Sequence, residues 1–333
     1  MGNAALILWP GAATLVAEQM SQRMPKDTGT TSGNEGLSQR DWQAMLVEIG
    51  RRDGFFRKLG REHSALYVER GDTLIVTFEN LDHVYSRGED RMPWGYGFIE
   101  AKGWSMLGMM AHDWTWYRDE AVFDFFDELR DSGFFDRFTK VVFYGASMGG
   151  YAAAAFSAAA PGATVIAISP QATLSREIAP WEARYRKAWK RDFSSRYGFA
   201  PNHCQGAENI YLFYDPTSPP DAMHAAFFDG GNVQKFRCRH FGHRIASAWG
   251  RMGILKPVVD ACIDGSMTPE GFYQLLRGRR MDMKYQRAML GRLQAEERHA
   301  LVIRLCEAIL ARHRAPRFRR ALKAARAALA VAD

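Results

Sequence analysis

No apolar run in this chain approaches the roughly 20 residues that a helix needs to cross a bilayer, so no membrane span is expected. The apolar stretch near the start, "NAALILWPGAATLVA", has no Lys or Arg ahead of it and is interrupted by Pro10. That is not the layout of a secretory signal. Cysteine is scarce as well. Cys204, Cys238, Cys262 and Cys306 fall in no C-x-x-C or similar spacing, which argues against a thiolate metal site and a disulfide framework. They read as reduced, buried thiols, and the expected compartment is the cytoplasm. H-x-x-x-H and D-x-D ligand patterns are missing, as is the glycine fingerprint of a dinucleotide site. Neither a metal nor a cofactor is expected.

What is present is core-forming material. The chain has 333 residues, 47% of them hydrophobic and 13% aromatic, enough for one large core or a core with a small satellite. Its net charge of +7 is unevenly spread. From Thr268 to Asp333 there are 15 Lys and Arg against 6 Asp and Glu, while the residues before carry 29 against 31. The excess positive charge is therefore confined to the tail. Arg there alternates with Leu, Ala and Ile, as on the solvated face of a helical bundle, and no nucleic-acid module is recognisable; no nucleic-acid partner is expected.

Three regions follow from the patterning. Residues 1–40 include the polar, Gly/Ser/Thr-rich run "QMSQRMPKDTGTTSGNEGLSQ", which reads as a flexible arm. Residues 41–265 open with a helical stretch and then alternate apolar strand runs with helical ones. "SALYVER" and "TLIVTFE" are strand-like and separated by Gly71-Asp72, a hairpin dipeptide in reverse order. "GWSMLGMMA", "KVVFYGA", "ATVIAISP", "ENIYLFYD" and "NVQKFRCR" are further strand runs, with helical spacing in "RDEAVFDFFDELRDSG" and near 219–228 and 244–263. Continuous apolar strands alternating with helices predict an α/β fold, a mostly parallel sheet covered on both faces. "REIAPWEARYRKAWKRDFSSRYGF" interrupts the rhythm with helical spacing and many aromatics; a lid insertion is expected over 175–205. Residues 266–333 show only helical patterns and form a C-terminal helical extension.

One stretch carries chemistry. "FYGASMGGYAAA" holds Ser147 in a G-x-S-x-G frame between a strand and a helix, the setting of a nucleophile elbow. The turn is sharp enough to strain the serine backbone, and Gly145 and Gly149 must lack Cβ atoms to avoid collision. Met148, first in the helix, would aim its amide at a developing oxyanion. A serine needs a base and an acid, in the chain order Ser, acid, His. Asp215, at the carboxyl end of "ENIYLFYD", is the favoured acid, with Asp221 second; Asp215 could instead simply start a turn. His243, after Gly242 in "FGHR", is the favoured base, with His240 second; His112, His203 and His224 have no comparable placement. A second oxyanion amide is expected from "FENLDH", at Phe78, Glu79 or Asn80.

With these residues in hand, the span from about Ala65 to Ile263 resembles the α/β-hydrolase superfamily, on "GASMGG", "DPTSP" and "FGHR". The resemblance implies a Ser147–His243–Asp215 triad and acyl chemistry on an ester, thioester or amide, by hydrolysis or by transfer to an alcohol such as a carbohydrate. The elbow is similar to those of esterases, acylaminopeptidase-like enzymes and mycolyl-type acyltransferases. The longer stretches "WGYGFIEAKGWSMLGMMAHDWTWYRDE" and "YGASMGGYAAAAFSAAAPGATVIAISPQ" resemble bacterial hydrolase-like proteins, some associated with surface-polysaccharide gene sets. An H-G-G-G stretch is missing, which sets the chain apart from the lipases and esterases that use one. A non-catalytic scaffold on the same fold is the reading from a different class. Aromatic side chains gather in two places, Trp94, Tyr96, Trp104, Trp114, Trp116 and Tyr117, and Trp181, Tyr185, Trp189, Phe193 and Tyr197; they suit a sugar-stacking surface, an acyl tunnel or ordinary packing.

Overall fold

The computed structural model describes residues 39–80, 92 and 95–332. The arm expected at 1–40 and Trp94 lie outside the described residues, apart from the start of the first helix. That helix, α1 (Gln39–Asp53), precedes a hairpin of β1 (Gly54–Leu59) and β2 (His63–Val68), followed by β3 (Thr73–Asn80). Then come α2 (Tyr96–Ala101), β4 (Ser105–Ala111), α3 (Glu120–Asp131), β5 (Lys140–Ala146), α4 (Met148–Phe156) and β6 (Thr164–Ile168). The second half holds α5 (Ala200–His203), β7 (Asn209–Tyr214), α6 (Pro219–Phe227), β8 (Val233–Arg237), α7 (Ile245–Arg251) and α8 (Leu255–Ile263). Four further helices close the chain: α9 (Pro269–Leu276), α10 (Met283–Ala295), α11 (His299–Leu310) and α12 (Pro316–Ala332).

The eight strands form one sheet in the order β1-β2-β4-β3-β5-β6-β7-β8. β1 and β2 run antiparallel to their neighbours, and all pairs from β4 to β8 are parallel. Successive strand residues serve opposite faces. Val141, Phe143, Val165, Ala167 and Leu212 pack with α3 and α4 on one side. Val142, Tyr144, Ile166, Ile168 and Phe213 pack with α7, α8 and α9 on the other. Burial on both faces is what makes the strands read as unbroken apolar runs. The fold is α/β-hydrolase-like, with a helical C-terminal region.

Two expectations are corrected. β2 and β3 do not form a hairpin, because β4 lies between them, antiparallel to β2 and parallel to β3. The Gly71-Asp72 link is instead pinned to the starts of other strands. Ser105 Oγ accepts from the Arg70 amide and donates to the Gly71 carbonyl, while the Thr139 amide donates to the Asp72 carbonyl. The second correction concerns the insertion, whose helical spacing yields only a 3-10 helix over Ala183–Lys190, broken at Tyr185 by φ −121° and ψ 39°. Beyond the sheet, α9 belongs to the sheet's core, since Phe272 packs against Phe213, Phe236 and Trp249. A separate apolar cluster (Leu290, Val302, Cys306, Ile309, Phe318) holds α10–α12 together.

Candidate active site

β5 delivers its last residue, Ala146, into a turn that α4 continues from Met148. Ser147 sits between them at φ 55° and ψ −118°, a region that costs an L-residue about 1–3 kcal/mol. The glycines make that turn possible. A Cβ on Gly145 would lie 2.1 Å from the Gly149 carbonyl oxygen, and one on Gly149 would lie 2.4 Å from that of Phe78. Neither contact is tolerable for a carbon atom. Met148 begins α4, so its amide is among those with no acceptor inside the helix. Phe78 and Glu79 stay within β3, in register with Met109 and Met110 of β4. Asn80 ends that strand, with its side-chain amide on the Asp113 carbonyl, and the loop beyond it lies outside the described residues.

His243, in the loop between β8 and α7, has Nε2 2.7 Å from Ser147 Oγ. Its Nδ1 lies 2.9 Å from Asp221 Oδ1. An Nδ1–H donating to the carboxylate leaves Nε2 free to accept the serine proton, the arrangement a base requires. The acid in contact with His243 is thus Asp221, in the first turn of α6, where the helix dipole favours a negative charge.

Asp215 does not reach the histidine. Its Oδ1 accepts from the Thr217 amide at 2.8 Å and hydroxyl at 2.7 Å, and Oδ2 accepts from the Gly242 amide at 2.7 Å. This Asx turn, the turn role an Asp before Pro commonly takes, ties the end of β7 to the loop that carries His243. His240 contacts Thr217 and Arg292, not Ser147.

The insertion supplies what the linear motif does not show. Tyr185 places its hydroxyl 2.9 Å from His243 Nε2, beside Ser147. Burial raises its pKa, so the hydroxyl stays protonated, next to the Nε2 lone pair that Ser147 also faces. Arg184 reaches the carboxylate of Asp221, Nη1 to Oδ1 at 2.8 Å, and clasps Glu182 with its other nitrogens. Glu182 is wholly buried and accepts from His224 Nε2 at 3.0 Å. The Ala172 amide donates to His224 Nδ1, so the His224 proton resides on Nε2. His224, which no sequence motif marks, therefore holds the carboxylate of Glu182 behind Asp221. Burial acts to raise the Asp221 and Glu182 carboxyls, but it is outweighed. His243 and Arg184 hold Asp221 at about 2, and His224 and Arg184 hold Glu182 at about 2.

The remaining aromatics divide by place. Trp104 packs on Phe98 of α2, Trp181 on His224, Phe193 on Tyr151 and Tyr197 on Phe156, while Trp189 lies beneath Arg176 and Arg186. Trp116 packs edge-on against Tyr185 at 4.9 Å and so belongs to the site. Its partner in the chain was invisible in the sequence, because 69 positions separate the two.

A half-buried serine on an elbow, a histidine and a buried carboxylate, at the carboxyl ends of strands in an α/β-hydrolase-like sheet, define the class of arrangement. No family model and no curated protein matches the chain. Among solved structures it is similar to a capsule O-acetyltransferase of Neisseria meningitidis serogroup A, with 11% identity over 62% of this chain and 93% of that one and a TM-score of 0.40. It is similar also to an esterase of Pyrobaculum calidifontis, with 12% identity over 76% and 99% and a TM-score of 0.39. A third is the alpha/beta hydrolase domain-containing protein 10 from mouse, with 13% identity over 64% and 98% and a TM-score of 0.40. These are likenesses of fold. Among the described residues, no helix is long and apolar enough to cross a membrane.

Proposed function

We propose that the protein is a serine acyl-transfer enzyme acting on a carboxylic ester, with Ser147 as nucleophile, His243 as general base and Asp221 as the orienting acid. The observation that carries this reading is the unbroken chain Ser147 Oγ–His243–Asp221, at 2.7 and 2.9 Å, ending on a carboxylate with no exposed side-chain surface. His243 takes the serine proton as Oγ attacks the carbonyl carbon. The imidazolium that forms is stabilised by Asp221, which stays ionised. Negative charge on the carbonyl oxygen falls toward the α4 N-terminus and the Met148 amide; one donor of this kind contributes about 3 kcal/mol. The Tyr185 hydroxyl, 2.9 Å from His243 Nε2, stands beside the path of the serine proton. Return of the proton from His243 to the leaving alcohol breaks the ester and leaves an acyl group on Ser147, which water or an acceptor alcohol then removes.

The test is pre-steady-state release of 4-nitrophenol from 4-nitrophenyl acetate. An initial burst of about one equivalent per protein is expected, as an acyl-enzyme accumulates. Analysis of products with and without added glycerol separates hydrolysis from transfer. Turnover that persists in Ser147→Ala would overturn the assignment.

A further inference from the structure

The carboxylate beside His243 is tied into a closed ring of side chains. Asp221 and His224 stand three positions apart on α6 and so share one face of that helix. Glu182 and Arg184 of the insertion bridge them. His224 Nε2 donates to Glu182 Oε2 at 3.0 Å, Arg184 donates to the same carboxylate through Nε at 2.9 Å and Nη2 at 2.5 Å, and Arg184 Nη1 reaches Asp221 Oδ1 at 2.8 Å. The Ala172 amide fixes His224 from behind, and the Arg184 amide donates to Glu182 Oε1. Glu182, His224 and Asp221 have no exposed side-chain surface, whereas Arg184 is half-buried.

Arg184 and His243 both meet Asp221 on Oδ1, while Oδ2 is buried without a hydrogen-bond partner among the described residues. Without Arg184, the carboxylate would be held only by the imidazole it has to orient. A planar guanidinium anchored on Glu182 gives that oxygen a fixed place. The same contact acts electrostatically. Arg184 brings positive charge to the oxygen that stabilises the His243 imidazolium, and so opposes protonation of the resting base. The other groups around His243 are the Tyr185 hydroxyl on Nε2, Asp215, which takes the Gly242 amide, and His240 and Arg244 in its own loop. His240 is turned to Thr217 and Arg292, and Arg244 is exposed. Of the arginines and lysines among the described residues, Arg184 is the one bonded to Asp221.

Building on the acyl-transfer reading, we propose that Arg184 is a positioning residue: it fixes the Asp221 carboxylate toward His243 and, by its charge, keeps His243 free to accept a proton in more acidic solution than Asp221 alone would allow. The insertion thereby completes the acid of the triad.

The test is the pH profile of kcat and kcat/KM for 4-nitrophenyl acetate, from about pH 4 to 9, whose acid limb in kcat/KM reports protonation of the free enzyme's base. Unit charges meeting on one oxygen interact by roughly two pH units at an effective dielectric of about 20, and Glu182 offsets about half, so Arg184→Met should move that limb up by about one pH unit. On the plateau kcat should fall about tenfold, the worth of one charge-assisted hydrogen bond, with KM little changed. Arg184→Lys keeps the charge without the fork, so its limb should lie close to that of wild type while kcat stays low. If Arg184→Met fails to fold because Glu182 is left buried and unpaired, Glu182→Gln/Arg184→Met removes both charges and should move the limb in the same direction. An acid limb that stays put in the folded variant, or a plateau kcat that is unchanged, would overturn the proposal. It would leave the acyl-transfer reading intact, provided turnover is lost in Ser147→Ala. A folded wild type without turnover, and with Ser147 inert, would instead sink the reading beneath it.

Discussion

Replacing Asp221 with Asn keeps the volume and one acceptor oxygen but removes the charge that faces His243. Two losses add. The His243 Nδ1–Asp221 bond of 2.9 Å ceases to be charge-assisted, worth about 1 kcal/mol. Opposite charges about 4 Å apart also attract by about 4 kcal/mol at an effective dielectric of about 20, and this is the attraction felt by the imidazolium formed during attack. Together they predict a fall in kcat of roughly 5 kcal/mol, close to four decades. Arg184, 2.8 Å from Asp221, deepens the effect because Glu182 alone then balances its charge near His243. Asp215→Asn differs in kind. It sets an amide donor among the Gly242 and Thr217 groups that now donate to the carboxylate, so it should destabilise the fold by about 1–3 kcal/mol and lower kcat only about tenfold. The assay is kcat for 4-nitrophenyl acetate alongside urea unfolding for both variants. A folded Asp215→Asn that is inactive, beside an Asp221→Asn within tenfold of wild type, would refute the assignment of the acid.

Relief of backbone strain predicts that Ser147→Gly is more stable than Ser147→Ala by about 1 kcal/mol, after allowing for the greater entropy of an unfolded glycine; equal unfolding midpoints would contradict a strained elbow. Tyr185→Phe should lower kcat about tenfold with little change in KM, the worth of one hydrogen bond; an unchanged or raised kcat in a burst experiment would show that the hydroxyl does not assist. Glu182 is held at about 2, below its ordinary 4.5, despite burial that acts the other way. Its ion pairs therefore stabilise the fold fully above that ordinary value, and the contribution is lost as pH falls toward 2. Glu182→Gln should be less stable than wild type at pH 7 and less sensitive to acid below pH 4.5; urea unfolding at pH 7, 4 and 3 checks this, and a variant as acid-sensitive as wild type would contradict it.

Local rules made the elbow legible. A valine-rich strand, three glycines and an alanine-rich helix each have a fixed physical meaning, and β5 and α4 fall where that pattern puts them. His243 was legible because Gly242 marks a loop at the end of β8. The acid was not. "YDPTSPPD" offers two aspartates six positions apart, and only the tertiary structure shows that Thr217 and Gly242 occupy the first, leaving the second to His243. Arg184 and Tyr185 stood out only as part of a basic, aromatic insertion, because Asp221 and His243, the groups they touch, lie 37 and 58 positions away. The false hairpin at Gly71-Asp72 has the same origin. A turn dipeptide reports that the chain bends, and cannot report that β4 comes to lie between β2 and β3.

The central claim is that Ser147 is a working nucleophile activated by His243. Incubation with a fluorophosphonate, followed by peptide mass spectrometry, tests it without knowledge of the substrate. The account predicts one adduct, on Ser147, lost in Ser147→Ala and strongly slowed in His243→Ala. A folded wild-type protein that stays unlabelled, or one labelled as readily in Ser147→Ala, would contradict it.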